Sequence, residues 1–466
     1  MSGFAPDELA RWTGGRWTAR PARPLAGFAT DTRQLQPGQV FVALQTDRRD
    51  GHDFLLAAEK AGASAAIVSR RNAALALPQL IVADPLAALQ RIAREHRRRF
   101  RGPVIGISGS CGKTSTKDLL AQLLGGAGQG VLATEGNLNN RLGVPLTLTR
   151  LDPAAHRMAV VEAGIGAPGE MDVLAGMIEP DIAIITLVAP AHLQDLGGLE
   201  GVAREKARLP AAVKAAGVAI FPKSCAQFTA FHDLTVRTMV VEQADVVRPA
   251  EPPKDKVYFT VSHRDDTTSI SVAYGPPPPL IFTLRRVSTG MAQNAVLAIC
   301  AALWLGVSPD EIQQRLAGWQ PAPWRGELRR EDDKLLYLDC YNANPASMAD
   351  ALEAFCAVAP AAEPRLFVLG GMEELGTAAA HYHRELGRAL PLRPEDRAIV
   401  IGDDAASVRA GVLEAGHRSE QIEIAPTLEP VAARIAGWRG AVFVKGSRRH
   451  QLENALTPEL AGAGAH

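Results

Sequence analysis

Residues 104 to 117 read Val-Ile-Gly-Ile-Ser-Gly-Ser-Cys-Gly-Lys-Thr-Ser-Thr-Lys. A short apolar run leads in and the amphipathic stretch Lys117 to Leu124 leads out, which predicts strand, loop and helix. Glycines at 106, 109 and 112 let backbone amides turn inward onto phosphate oxygens, the helix adds its positive end, and Lys113 reaches the outer phosphates. The strict G-x-x-x-x-G-K-[ST] pattern is missed by one position, because Ile107 stands where its first glycine would be. The context still marks a nucleotide site, with Gly109, Ser110, Gly112, Lys113, Thr114 and Ser115 around the phosphates and the Thr114 hydroxyl placed for Mg²⁺.

Working outward, Gly102 to about Pro323 alternates strands and helices, the signature of a mainly parallel sheet covered on both faces. Val104–Ile107, Met158–Glu162, Ile182–Leu187 and Val218–Phe221 are the candidate strands. Ligand crevices open at the carboxyl ends of such strands, so Glu162, which ends one of them, is a candidate metal ligand. The next strand runs on to His192, which on its own reads as an ordinary loop histidine. Val257–Val261 and Ser269–Val272 alternate with period two and predict an antiparallel insert or an appended sheet. Beyond Pro323 a third block resumes the rhythm with Leu335–Leu338, Leu366–Leu369, Ala398–Ile401 and Val442–Val444. Before Gly102, short strand-like pieces at 40–44, 65–68 and 80–82 close with a basic helix, Arg91 to Arg99, whose arginines read as a solvated helix end before a domain joint. The expected organisation is α/β in three domains, 1–101, 102–323 and 324–466: an N-terminal domain, a central P-loop mononucleotide-binding parallel sheet and a C-terminal Rossmann-like α/β domain.

The bulk numbers fit that plan. A chain of 466 residues is too long for one ordinary core. Acidic and basic residues number 50 each, so nothing in the charge favours nucleic acid or an anionic membrane. The start, MSGFAPDELARW, lacks the basic cap and apolar core of a secretory signal, and no run approaches the roughly 20 apolar residues of a membrane span. Five scattered cysteines suit a reducing compartment, so the expectation is a cytoplasmic protein; a monomer is expected as well.

Three stretches together resemble the Mur ligase family, the ATP-dependent amide ligases of peptidoglycan precursor synthesis. They are the phosphate loop with Ala133 to Pro145 (ATEGNLNNRLGVP), Val161-Glu162-Ala163-Gly164 with Ala191-His192-Leu193 and Val202 to Ala207, and Asp339 to Met348 (DCYNANPASM). The last resembles the signature of the type that adds D-alanyl-D-alanine, as do Met372-Glu373-Glu374-Leu375-Gly376 with His383, and Val444 to Arg448. Asp31-Thr32-Arg33, Pro37-Gly38 and Asp50 to Phe54 resemble the family's uridine-nucleotide domain. Asn342-Ala343-Asn344-Pro345 stands where a tripeptide-forming member would carry an Ala-His-Thr-Pro type run. A relative that binds nucleotide without ligating would have no chemical reason to keep Lys113, Glu162, His192 and Lys206 together.

The resemblance implies ATP and Mg²⁺ as cofactors and UDP-N-acetylmuramoyl-tripeptide and D-alanyl-D-alanine as substrates. It implies catalytic roles for Lys113, Glu162, His192 and Lys206, with Thr114, Glu162, His192 and Lys206 at metal ions. By helix statistics Lys206 is a solvated residue; the resemblance implies a carbamylated lysine, an anionic ligand whose formation from CO₂ requires the neutral amine. Nucleotide contacts are implied for Asn294, Arg325, Asp339 and Asn342, and substrate contacts for Asp31, Thr32, Arg33, Asn139 and Asn140. Several positions depart from the family pattern: Ser288-Thr289-Gly290-Met291-Ala292-Gln293-Asn294 stands where G-x-H-N-x-x-N is usual and keeps only its final asparagine, and Gly371 stands where an aspartate commonly precedes Met-x-Glu-Leu-Gly.

Overall fold

Val104–Ser108 is buried at all five positions and forms the strand around which the middle of the molecule is built. Its side chains alternate between two cores: Ile105 and Ile107 pack with the helix Thr289–Trp304 on one face, and Val104 packs with the helices Glu170–Ile178 and Leu199–Ala211 on the other. A parallel strand buried on both faces has no polar side to show, which is why its sequence reads as a nearly continuous apolar run. The computed structural model describes residues 3–245, 255–331 and 334–456.

The central sheet has nine strands. From one edge to the other they are Leu280–Arg285, Thr267–Ala273, Lys256–Arg264, Thr238–Gln243, Val218–Pro222, Ile182–Ile185, Val104–Ser108, Met158–Glu162 and Val131–Ala133. Val104–Ser108 pairs in parallel with Met158–Glu162 on one side and Ile182–Ile185 on the other. The strand order therefore reverses there, and the phosphate loop sits at the crevice that such a reversal opens. The period-two strands pair antiparallel, as expected, and are appended to the edge of the central sheet rather than forming a sheet of their own. Lys256–Arg264 runs parallel to Thr238–Gln243 and antiparallel to Thr267–Ala273, so they extend the same sheet at its edge.

A six-stranded sheet follows, in the order Glu327–Glu331, Lys334–Asp339, Gly440–Lys445, Arg365–Gly370, Arg397–Ile401 and Ile422–Ala425. Only the first pair is antiparallel. Its register sets Asp339 opposite Lys445 at the carboxyl ends of neighbouring strands. The N-terminal sheet has five short strands in the order Arg16–Trp17, Gln79–Ile81, Ala65–Val68, Val40–Val42 and Phe28–Ala29. Among the described residues no helix is long and apolar enough to cross a membrane.

The helix Pro85–Arg97 joins the N-terminal sheet to the central one. It starts where the Asp84 carboxylate accepts the Leu86 and Ala87 amides, with Pro85 in the first helical position, where no amide is needed. At its basic end Arg91, Arg94, Arg98 and Arg99 are exposed, as expected of a solvated helix end, but Arg97 is not. Arg97 is 1% exposed, and its guanidinium donates to the Ile178, Glu179 and Phe100 carbonyls and pairs with Asp181 at 3.2 Å. Arg98 pairs with Glu179 and Arg99 with Glu8. Arg97 is thus a clasp between sheets, holding the Ile178 and Glu179 carbonyls at the end of the helix Glu170–Ile178.

Candidate active site

The phosphate loop has the conformation its glycines permit. Gly109 and Gly112 have φ of +150° and +76°, and a Cβ on either would strike a neighbour, Thr186 Oγ1 at 1.9 Å or Asn294 Nδ2 at 2.4 Å. Asn294 on Thr289–Trp304 is thereby set against the loop. Ser110 Oγ donates to the Ala189 carbonyl and accepts the Ala189 amide, and Thr186 Oγ1 donates to the Cys111 carbonyl at 2.5 Å, so the next strand's end braces the loop. The helix Lys113–Leu123 starts at Gly112 without a side-chain cap, which leaves its first amides free for an anion. The Lys113 ammonium curls back to the Gly109 carbonyl at 2.8 Å. Burial pushes the Cys111 thiol up to about 11, so it stays protonated.

Glu162, 1% exposed, ends its strand beside this loop. Its Oε1 accepts Asn139 Nδ2 at 2.8 Å, while Oε2 is buried with no hydrogen-bond partner. An unpaired carboxylate oxygen in that position is costly unless something cationic meets it. Among the described residues no three His, Cys, Asp or Glu side chains gather as a metal cage. Mg²⁺ takes one or two carboxylates and keeps several waters, so Glu162 with the Thr114 hydroxyl fits it.

Lys206 is also buried, at 2% exposure, because Val202, Lys206 and Leu209 share the inward stripe of Leu199–Ala211. Burial, reinforced by Lys113, lowers its amine to about 7, which makes the neutral form available near neutrality. The neighbouring Glu205 is used up by the Met171 amide at 2.8 Å. His192 begins the short helix Leu193–Leu196 in the left-handed region, and its Nδ1 lies 2.9 Å from Glu374 of the C-terminal part.

One cleft of about 330 Å³ has Ser110 to Ser115, Asn139 and Glu162 in its wall on the central side. Asn294, Arg325, Asp339 and Asn342 line the same cleft. Asp339 pairs with the buried Lys445 at 2.5 Å, and Lys445 also donates to the Asn342 carbonyl at 3.2 Å. The Arg325 guanidinium lies 3.9 Å over the Tyr341 ring. Asn344 Oδ1 caps the helix Pro345–Val358 through the Ser347 amide, while its Nδ2 reaches the Ser110 carbonyl at 3.2 Å. Asp350, one turn further along, accepts the Gly290 amide at 2.7 Å. Thus the segment around Met291 is held through its backbone by the C-terminal part.

Other residues anticipated for the site lie apart from this cleft or are already engaged. Gly109 shapes the loop from behind. Asn140 Oδ1 accepts the Leu142 and Gly143 amides at the start of the helix Gly143–Leu148. Asp31 and Arg33, flanking Thr32, form an exposed ion pair at 2.5 Å on the N-terminal part, and Arg33 draws the Asp31 carboxyl down to about 2. The Asp50-Gly51-His52 run is internal: Asp50 accepts the His52 amide and pairs with Arg70, while His52 Nε2 accepts the Ser69 amide. At Gly371 a Cβ would come within 3.0 Å of His450 Nε2, so His450 takes the space beside the missing aspartate side chain. Asp350 and the His192–Glu374 pair escaped sequence reading, since no local spacing marks a partner in another part of the chain.

The chain matches three family models: "Mur ligase family, catalytic domain" over residues 25–98, "Mur ligase middle domain" over 107–302 and "Mur ligase, glutamate ligase domain" over 324–448. It is 32% identical to the UDP-N-acetylmuramoyl-tripeptide–D-alanyl-D-alanine ligase of Escherichia coli (strain K12), over 93% of each chain. Among solved structures it resembles MurF from Acinetobacter baumannii, with a TM-score of 0.84, 27% identity and 98% of each chain covered. It also resembles MurF ligase from Thermotoga maritima in complex with ADP, with a TM-score of 0.77, 26% identity and coverage of 92% of this chain and 96% of that one.

Proposed function

Because this chain belongs to the Mur ligase family, we propose that it joins D-alanyl-D-alanine to UDP-N-acetylmuramoyl-tripeptide, cleaving ATP to ADP and phosphate. The observation that carries the reading is the single cleft in which the phosphate loop, Glu162, Asn294, Arg325, Asp339 and Asn342 meet. A carboxylate is a poor electrophile. One of its oxygens attacks the γ-phosphorus, the bond to the β-phosphate oxygen breaks, and ADP leaves. The dipeptide's amine nitrogen then attacks the acyl carbon, the acyl C–O bond breaks, inorganic phosphate departs, and the nitrogen loses its surplus proton.

In this scheme Lys113 and the first amides of Lys113–Leu123 take up charge on the transferring phosphoryl group, the principal task in such a transfer. Thr114 and Glu162 would hold Mg²⁺, and His192 with carbamylated Lys206 would hold a second ion; bound metal supplies further charge neutralisation. The Lys206 carbamate forms as the neutral amine bonds to the carbon of CO₂ and loses a proton, and a buried amine drawn down to about 7 suits that step. The C-terminal sheet closes over the nucleotide and keeps water from the acyl phosphate. Asp31, Thr32 and Arg33 belong to an N-terminal part that takes the UDP-sugar peptide, with Asn139 and Asn140 at the border. A cytoplasmic location agrees with five free cysteines, Cys111 among them.

The test follows phosphate release from ATP and Mg²⁺ with UDP-N-acetylmuramoyl-tripeptide, with and without D-alanyl-D-alanine, and weighs the product. Release that needs both and yields the pentapeptide is expected. ATP binding without such release would overturn the reading.

A further inference from the structure

The His192–Glu374 pair joins two sheets, and both of its members are bent in the same unusual way. His192 has φ of +52° and Glu374 has φ of +65°, a left-handed conformation that non-glycine residues keep only where the surroundings impose it. The loop carrying Glu374 is pressed on the segment that follows His192: Gly376 has φ of +56°, and a Cβ there would come within 2.8 Å of the Gln194 Cβ. Of the two adjacent glutamates only Glu374 turns to His192, since Glu373 faces Arg449 and His450 within the C-terminal part. The ion pair is 59% exposed on the glutamate side, so its worth lies in geometry rather than in stability.

We propose that Glu374 is the positioning residue of His192: its carboxylate, 2.9 Å from Nδ1, holds the ring proton on that nitrogen, fixes the ring and its tautomer, and leaves Nε2 as the lone-pair nitrogen available to a divalent cation. A histidine that ligates metal commonly donates its other ring N–H to a carboxylate in this way. Here the carboxylate comes from the part of the chain that closes over the nucleotide. The histidine is therefore set only when the C-terminal sheet lies on the central one, which couples closure to metal capture. The inference rests on the reading that His192 ligates a cation, and it adds the residue that makes it competent.

The test uses Mn²⁺ as the probe, titrated by electron paramagnetic resonance into the full-length protein saturated with ADP, and compares wild type with Glu374→Ala and Glu374→Gln. One Mn²⁺ equivalent is expected to weaken about 10- to 100-fold in Glu374→Ala, while Glu374→Gln, which keeps an acceptor oxygen, recovers most of that loss. ADP affinity measured without metal, and affinity for the UDP-linked substrate, stay within about twofold of wild type on this reading, and the ¹⁵N shifts of the His192 ring move toward a mixed tautomer in the alanine variant. Unchanged Mn²⁺ affinity in Glu374→Ala would overturn the proposal, as would a matching loss of metal-free ADP affinity, which would make Glu374 a plain clasp between the sheets. Mn²⁺ binding needs no amine acceptor, so a wild type that fails to ligate would sink the proposed function while this titration still decides on Glu374.

Discussion

Lys206 carries the sharpest contrast between what a residue type suggests and what its surroundings make of it. In a run reading Arg-Glu-Lys-Ala-Arg a lysine is ordinarily solvated, yet the stripe Val202, Lys206, Leu209 turns inward and leaves it 2% exposed. Lys206→Ala is expected to abolish ligation, and an added short-chain carboxylic acid to restore part of it by standing in for the carbamate; full activity of the untreated variant would refute the role. The proposed scheme also turns on Lys113. Removing a preorganised charge donor of this kind costs about 10²- to 10³-fold in kcat, so steady-state turnover of Lys113→Ala should fall by at least that much. A smaller loss would mean that the helix amides alone stabilise the transferred group.

Among the elements, the helix Pro85–Arg97 holds the most information about how the parts are joined. Arg97 satisfies three carbonyls and pairs with Asp181 while buried, so Arg97→Met takes this donor from the Ile178, Glu179 and Phe100 carbonyls, while Asp181 keeps the Val104 amide and Lys214; the change is expected to destabilise the protein by about 3 kcal/mol, read as a lower urea midpoint. One residue earlier, His96 Nε2 bonds to the Leu151 carbonyl at 2.7 Å, and its ring lies 4.7 Å from that of Phe4. Burial lowers the His96 pKa below its usual 6.5. Between the lowered value and 6.5 the unfolded chain therefore binds the proton that the folded chain refuses. Stability from this group is complete above about 6.5 and is lost as the pH falls through the lowered value. The stability curve of His96→Gln should lack this part of the acid-side decline; a curve parallel to wild type from pH 7 to 5 would contradict it.

At the scale of the whole molecule, the contacts that tie the C-terminal part to the phosphate side include Asn344 to Ser110, Asp350 to Gly290, and Glu374 to His192. Asp350→Ala removes the acceptor of the Gly290 amide, worth about 1–2 kcal/mol, so the KM for ATP should rise about tenfold while that for the UDP-linked substrate stays put. Equal rises in both would show that Asp350 does not serve nucleotide closure. Asp339→Ala should also raise the ATP requirement, and it leaves Lys445 buried at 1% exposure without its carboxylate, so a lower melting temperature is expected alongside.

The sequence by itself determined the phosphate loop and the parallel strands around it, because each is written in residues within a few positions of one another. The apolar run Val104–Ile107 marks a strand that the structure carries on to Ser108, and the glycine spacing marks the loop. Only the tertiary structure decided that Arg97 is a buried clasp, that Lys206 is a desolvated amine and that the period-two strands extend the central sheet. The same holds for the meetings of Glu374 with His192 and of Asp350 with Gly290. Burial and pairing of this kind depend on which surfaces come together, and the Asn344–Ser110 contact spans 234 residues. Local spacing carries no trace of a partner that far along the chain, whereas packing fixes it to within a hydrogen bond's length.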